Sequence, residues 1–193
     1  MASVVRIKSE EKRQAILHAT AQAIAERGIA APTSFIAKLA GVAEGSIFTY
    51  FEDKDVLFNA LYIAIKQDLH GWFAEGYPSR APLVERFEHV WDRYIAWGAA
   101  QPQQRIAMSQ LSVSDRITPE SRLKGEALFG DMGRLFDAGV AEGVLHPQPA
   151  GFSTGIFTAV AETTLTLIYR DPGSAAVYRK AGFDSLWRAL AMA

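Results

Sequence analysis

Residues 33–54 read TSFIAKLAGVAEGSIFTYFEDK, and their pattern predicts the structure of the first part of the chain. The apolar residues between Ile36 and Ala40 follow helical spacing, and Gly41 then interrupts the pattern. Glycine can adopt the positive φ that a sharp bend requires. Ile47 and Phe51, one helical turn apart, resume the helical pattern. The stretch therefore predicts two short helices joined by a tight turn.

The second of these helices, from about Gly45, has two chemically different sides. We expect its apolar side to carry Ile47, Phe48 and Phe51. The other side presents the hydroxyl-bearing residues Ser46, Thr49 and Tyr50. A helix with an apolar inner side and short polar outer side chains fits the major groove of DNA. The stretch is therefore interpreted as a helix-turn-helix.

The residues in and around this motif resemble the N-terminal domain of TetR-type transcriptional repressors over roughly the first third of the chain. The matching positions are Arg13, Ile16, Leu17, Ala19, Gly28, Ile36, Ala37, Ala40, Gly41, Val42, Gly45, Ser46, Ile47, Phe48, Tyr50, Phe51, Lys54 and Leu57. The resemblance implies an all-α fold. Residues 1–54 would form a three-helix DNA-binding domain, and residues 55–193 a helical bundle that binds an effector and dimerises.

The resemblance also implies which residues contact DNA: Thr33, Ser34, Lys38, Glu44, Gly45, Ser46, Thr49, Tyr50 and Lys54. The first three are expected to contact phosphates, with capping of their helix as an equally open role for Thr33 and Ser34. Lys54 would meet a phosphate at the start of the fourth helix.

Three positions depart from the commoner family pattern. Ala43 removes a cap from the recognition helix, and Phe48 lacks a phosphate-binding hydroxyl, so its ring is expected only to pack. Glu44 puts a carboxylate near the phosphates, which repel it, yet it could accept a hydrogen bond from a cytosine amino group.

Composition narrows the class of protein. The 193-residue chain is 49% hydrophobic, carries a net charge of −1 and has no cysteine. A near-neutral charge fits a dimer with a few phosphate contacts per subunit rather than a protein that binds DNA by massed charge. The lack of cysteine excludes disulfides and thiol catalysis. We find no signal-peptide core and no segment of membrane-spanning length, so we expect a cytoplasmic protein without a membrane partner.

Apolar periodicity predicts helices throughout the rest of the chain and no sheet. Residues 1–8 are expected to form a mobile arm that carries Arg6 and Lys8, with Ser9 as the cap of the first helix and Gly28 as its end. The later helices are predicted at 54–75, 82–100, 103–113, 118–143, 150–169 and 174–192. Asp53 is expected to cap the first of these.

The helical bundle is rich in aromatic and methionine side chains, most of which must form its core. A subset could line an effector cavity between helices. The candidates are Trp97, Met108, Phe129, Met132 and Phe136, with Glu162 as the polar anchor and Thr163 or His89 as alternatives. We expect no metal and no cofactor, because His89 with Glu85 and Asp92 is more simply a solvated helix face.

The leading hypothesis is a ligand-responsive transcriptional regulator, most often a repressor in the resembled family. It would bind a pseudo-palindromic double-stranded operator as a homodimer and be released by a small hydrophobic or aromatic effector. Apolar residues at helical spacing in the last two helices support the dimer, although packing within one subunit also explains them. The alternative is an all-helical enzyme or carrier acting on a hydrophobic small molecule. No catalytic motif appears, so we expect no enzyme.

Overall fold

A computed structural model describes the backbone of residues 2–192 and the side chains of residues 9–192. Over this range the fold is all-α, as predicted, and its helices are α1 Ala2–Arg27, α2 Thr33–Ala40, α3 Glu44–Tyr50, α4 Lys54–Ala74, α5 Leu83–Ala100, α6 Pro102–Ser112, α7 Pro119–Ala127, α8 Gly130–Ala141, α9 Phe152–Arg170 and α10 Ala175–Leu190. A short 3-10 helix, Pro172–Ser174, precedes α10. Leu145 and Ala191 form an isolated antiparallel β-bridge.

The chain forms two compact units, each built from two segments. The first, called the α1 unit, comprises Met1–Asp68 and Gln101–Ala127. The second, called the α9 unit, comprises Leu69–Ala100 and Leu128–Ala193. Helix α4 contributes residues to both units.

In the α1 unit, helix α1 packs against α2 and α6. Its buried side contains Ile16, Leu17 and Ile24, as the apolar spacing predicted. Gly28 ends the helix with φ 73°, and its N–H donates to the carbonyl of Ile24 at 2.8 Å. Positive φ is inexpensive for glycine, so the predicted end of α1 is confirmed.

The connection between α6 and α7 is held to α4 within the same unit by one side-chain amide. The Nδ2 of Asn59 donates to the carbonyl oxygens of Arg116 at 2.8 Å and Asp55 at 2.7 Å. Its Oδ1 accepts from the backbone N–H of Thr118 at 2.9 Å. Arg116 also pairs with the carboxylate of Asp55 at 2.5 Å. Apart from the bond to the Asp55 carbonyl, which lies within α4, these contacts join the first two turns of α4 to residues more than fifty positions away.

In the α9 unit, α5 packs against α9 and α10 through a row of large side chains. Phe87, Trp91 and Trp97 are almost completely buried. Gly182 of α10 lies so close to this row that an added Cβ would stand 2.6 Å from the Trp91 ring and 2.4 Å from Thr164 Oγ1. The absence of a side chain at position 182 therefore sets the distance between α10 and its neighbours.

Two predicted helix boundaries are wrong. Helix α1 begins at Ala2, not after Ser9, because residues 2–8 contain no glycine or proline that would stop it. The side chains of Arg6 and Lys8 lie outside the described residues. The predicted helix over 118–143 is two helices, since Phe129 has φ −106° and ψ 19° and interrupts the regular hydrogen bonding. Gly130, which follows Phe129, disfavours a continuous helix.

Candidate nucleic-acid interface

The turn between α2 and α3 has the predicted backbone. Gly41 follows α2 with φ 66° and ψ 32°, a left-handed conformation that suits glycine. The N–H of Val42 donates to the carbonyl of Ala37 at 3.0 Å and closes the turn. Ala43 precedes α3 without any side-chain hydrogen bond to the helix, as the loss of the cap implied. The helix-turn-helix interpretation is therefore confirmed in its backbone.

Helix α3 is held in place by the apolar side chains beneath it. Ile36 of α2, Ile47 of α3 and Phe51 after α3 are all buried. The guanidinium of Arg13 lies 5.4 Å from the centre of the Phe51 ring, which adds a cation–π contact from α1. Burying each such side chain contributes about 1.5–3 kcal/mol to stability, so α3 is held firmly against the rest of the α1 unit.

The outward side of α3 differs from the prediction. Its exposed residues are Glu44, Gly45, Phe48 and Thr49, whereas Ser46 and Tyr50 are half-buried. Phe48 is 47% exposed and does not share the packing of Ile47, so its assignment to the buried side is wrong. Successive helical residues are rotated by about 100°, which turns Phe48 away from the line that Ile47 and Phe51 share.

Thr33 connects the start of α2 to the start of α3. Helix α2 begins at Thr33 itself, with Pro32 in the capping position and no side-chain cap, so the predicted cap is wrong. The Thr33 hydroxyl instead donates to a carboxylate oxygen of Glu44 at 2.5 Å. Both residues were predicted to contact DNA, and the structure brings them together at the exposed end of the two helices.

The remaining predicted contacts on these helices are exposed at the surface. Ser34 and Lys38 of α2 are both exposed. A Cβ built on Gly45 would meet no atom within 4 Å, and Gly45 does not have positive φ. Neither the packing nor the backbone of the chain therefore requires glycine at position 45.

Lys54 is the first residue of α4, as predicted, and Asp53 caps the helix by accepting from the N–H of Val56 at 2.8 Å. The ammonium group of Lys54 lies 5.3 Å from the centre of the Phe58 ring. Burial lowers the pKa of Lys54, and the neighbouring charge of Arg116 lowers it further. Arg116 comes from the α6–α7 connection, so sequence proximity to the motif could not indicate this second cation.

Three of the six predicted effector contacts belong to one aromatic cluster in the α9 unit. Phe129 packs edge-on against Phe73, with ring centres 5.8 Å apart. Tyr94 lies 6.5 Å from Phe73 and 5.7 Å from Trp97, again between ring centres. The Tyr94 hydroxyl donates to Glu162 at 3.2 Å. Trp97, Phe129 and Glu162 are thus all linked through Tyr94 and Phe73.

The other three predicted effector contacts are Phe136, Met132 and Met108, and the N–H of Met132 donates to the carbonyl of Phe129 at 2.9 Å. Phe136 packs edge-on against Phe87 at 4.8 Å and lines a cavity of about 210 Å³ beside the start of α9. Met132 is half-buried on α8, and Met108 is half-buried on α6, in the α1 unit. The cavity is smaller than the roughly 300–1,000 Å³ of sites that hold drug-sized molecules.

Two features that the described residues lack concern other classes of function. Within those residues, no helix is both long enough and apolar enough to cross a bilayer. Nor do their His, Asp and Glu side chains form any group of three or more that could hold a metal ion.

Helix α3 packs on the core through Ile47 and Phe51, and a glycine turn precedes it. These two features define the class of this protein, a helix-turn-helix DNA-binding protein. Residues 16–61 match the family model for bacterial regulatory proteins of the tetR family. The structure is similar to that of a tetR family transcription regulator from Shewanella sp. PV-4, with 26% identity, a TM-score of 0.83, and 94% of this chain and 99% of that chain covered. The family model and this likeness confirm the resemblance of the N-terminal part of the chain to TetR-type regulators.

Two further solved structures share the fold. A TetR family regulator from Marinobacter aquaeolei VT8 has 23% identity and a TM-score of 0.84, with 97% of this chain and 100% of that chain covered. FadR from Bacillus subtilis, solved in complex with stearoyl-CoA, has 19% identity and a TM-score of 0.67, with 90% and 96% covered. At these identities the likeness concerns the fold alone.

Proposed function

We propose that this regulator is a ligand-responsive repressor that binds a pseudo-palindromic operator as a homodimer. Residues 1–54 form its DNA-binding domain, and residues 55–193 bind the effector and the second subunit. The observation that carries the proposal is the exposed side of α3, formed by Glu44, Gly45, Phe48 and Thr49, on a helix seated by Ile47 and Phe51.

The openness around Gly45 supports close approach to DNA. No neighbouring atom and no unusual backbone angle requires glycine there. A side chain at this position would project from the exposed side of α3, where the base edges of a major groove would lie. Lys38 and Lys54, both near this helix in the sequence, supply cations for the flanking phosphates.

Apolar side chains on the last two helices support the homodimer. Tyr169 of α9 is 84% exposed and Val177 of α10 is 67% exposed, and Phe152 at the start of α9 is also exposed. Large apolar groups in contact with water favour association with another surface. The two DNA-binding domains of a dimer would bind half-sites about 34–36 Å apart, and together they would bind more tightly than one domain alone.

The aromatic cluster around Tyr94 and Phe73 is the proposed contact region for the effector. Its rings suit a small hydrophobic or aromatic molecule, and Glu162 supplies a polar group beside them. Trp97 and Phe129 belong to this cluster, and Met108, Met132 and Phe136 remain further candidates. Binding would lower operator affinity only if the effector prefers the conformation that does not bind DNA.

The test is selection of bound sequences from random duplex DNA, followed by titration of the recovered sequence at several salt concentrations. We expect a palindrome, and an affinity that falls steeply with salt. Thr49→Ala should weaken operator binding, because Thr49 belongs to the exposed side of α3. Ser109→Ala, which removes an exposed hydroxyl from α6, is the matched control and should leave binding unchanged.

The result that contradicts the proposal is the absence of any selected duplex sequence. Turnover of a hydrophobic small molecule without DNA binding would favour the alternative, an all-helical enzyme or carrier.

A further inference from the structure

The exposed side of α3 contains two residues with unusual chemistry for base reading, the carboxylate of Glu44 and the phenyl ring of Phe48. We propose that these two residues select neighbouring pyrimidines in the operator. Phe48 packs on the C5-methyl group of a thymine, and Glu44 accepts a hydrogen bond from the N4 amino group of a cytosine. This inference rests on the proposed function, since it concerns the same DNA-binding surface.

The argument for Phe48 starts from its exposure. Its ring is 47% exposed although buried apolar residues lie on either side of it in the sequence, at Ile47 and Phe51. In the major groove the thymine methyl is the apolar feature that distinguishes one base from the others. An exposed ring on a helix that enters this groove therefore favours thymine, because the ring and the methyl group leave water together.

The argument for Glu44 starts from its hydrogen bond with Thr33. A carboxylate only accepts hydrogen bonds, so it matches the amino group of cytosine and is mismatched to the acceptor atoms of guanine. Thr33 donates to Oε1 at 2.5 Å and fixes the carboxylate at the exposed end of α3. The second oxygen, Oε2, has lone pairs that can accept from a base.

The spacing of the two residues supports their action on neighbouring bases. Glu44 and Phe48 are four positions apart on one helix, so their Cβ atoms are about 5–6 Å apart on the same side. Successive bases on one strand rise by about 3.4 Å along the DNA axis. The two side chains therefore span between one and two base steps.

The thymine contact is tested on the DNA, with the full chain and the operator recovered by selection. Each thymine is replaced in turn by deoxyuridine, which removes only the methyl group. For the wild-type protein we expect one thymine in each half-site where the replacement weakens binding about fourfold, the effect of exposing one methyl group. In Phe48→Ala this difference between thymine and uracil should disappear.

The cytosine contact is tested by repeating the selection with Glu44→Gln. A glutamine amide both donates and accepts, so the preference for cytosine should fall at least about fivefold at one position. Affinity for non-specific duplex should rise, because a negative charge near the phosphates has been removed. A residue with a purely structural role is not expected to lower the preference for cytosine and at the same time raise the affinity for non-specific duplex.

Matched controls exist for both variants. Leu123→Ala removes a side chain that is 66% exposed on α7, and Glu26→Gln removes the same charge from the end of α1. Neither should change base preference. Circular dichroism melting checks that Phe48→Ala and Glu44→Gln are folded.

The inference and the proposed function fail in different ways. An operator that tolerates uracil at every thymine would overturn the role of Phe48, and unchanged cytosine preference in Glu44→Gln would overturn that of Glu44. In both cases the proposed function would stand. Recovery of no operator at all would overturn the proposed function and this inference with it.

Discussion

The side-chain amide of Asn59 is the main polar connection between α4 and the α6–α7 segment, and its removal provides a quantitative test of the α1 unit. Asn59→Ala removes the bonds to the Arg116 carbonyl and the Thr118 N–H. Each tertiary hydrogen bond contributes about 0.5–1.5 kcal/mol net, so the loss of both should lower the free energy of unfolding by about 2 kcal/mol. For a chain of this length that is a decrease of about 4–8 °C in the melting temperature.

The ion pair between Arg116 and Asp55 should not compensate for this loss. Both side chains are largely exposed, and exposed ion pairs contribute about 0–1 kcal/mol. The matched control is Gln67→Ala, which removes an exposed amide from the same helix and should change stability by less than about 0.5 kcal/mol.

The assay combines thermal melting, followed by circular dichroism at 222 nm, with hydrogen exchange of the Thr118 amide. In Asn59→Ala this amide should exchange faster, because its acceptor is gone, while the amides inside α1 keep their relative protection. Equal melting temperatures for Asn59→Ala and Gln67→Ala, together with unchanged exchange at Thr118, would refute the reasoning.

Two further predictions concern packing and DNA affinity. Gly182→Ala should lower the free energy of unfolding by about 1–3 kcal/mol, seen as a lower urea midpoint, because the new methyl group would overlap Trp91 and Thr164. Gly71→Ala is its control: nothing lies within 4 Å of the added methyl in α4, so this helix should be stabilised or unchanged. Lys54→Gln should weaken binding to all duplex sequences alike and reduce the salt slope by about 0.9, the contribution of one phosphate contact, in titrations across salt concentrations; a change in base preference instead would contradict a phosphate role.

Much of the local structure of the helix-turn-helix could be predicted from the sequence. The turn at Gly41, the end of α1 at Gly28 and the cap at Asp53 all depend on residues within a few positions of each other. A positive φ or a capping hydrogen bond is a local event, and a short stretch of sequence contains all the atoms involved. The burial of Ile47 and Phe51, which packs α3 on the core, could be predicted from helical spacing in the same way.

The surface that α3 presents was decided by tertiary structure. The apolar character of Phe48 placed it with the buried residues in the prediction, whereas packing around Ile47 and Phe51 leaves the Phe48 ring exposed and Tyr50 half-buried. The difference depends on which neighbours cover each side of the helix, and those neighbours come from distant parts of the chain.

The residues alone predicted the all-α class and the position of α3, because repeated apolar spacing and local turn chemistry encode both. The matched positions around the motif carried the resemblance to the TetR family. The hydrogen bond between Thr33 and Glu44, eleven positions apart, and the one between Asn59 of α4 and Thr118 follow from tertiary packing. Hydrogen bonds between distant residues depend on how the helices pack, and no pattern of neighbouring residues specifies that packing.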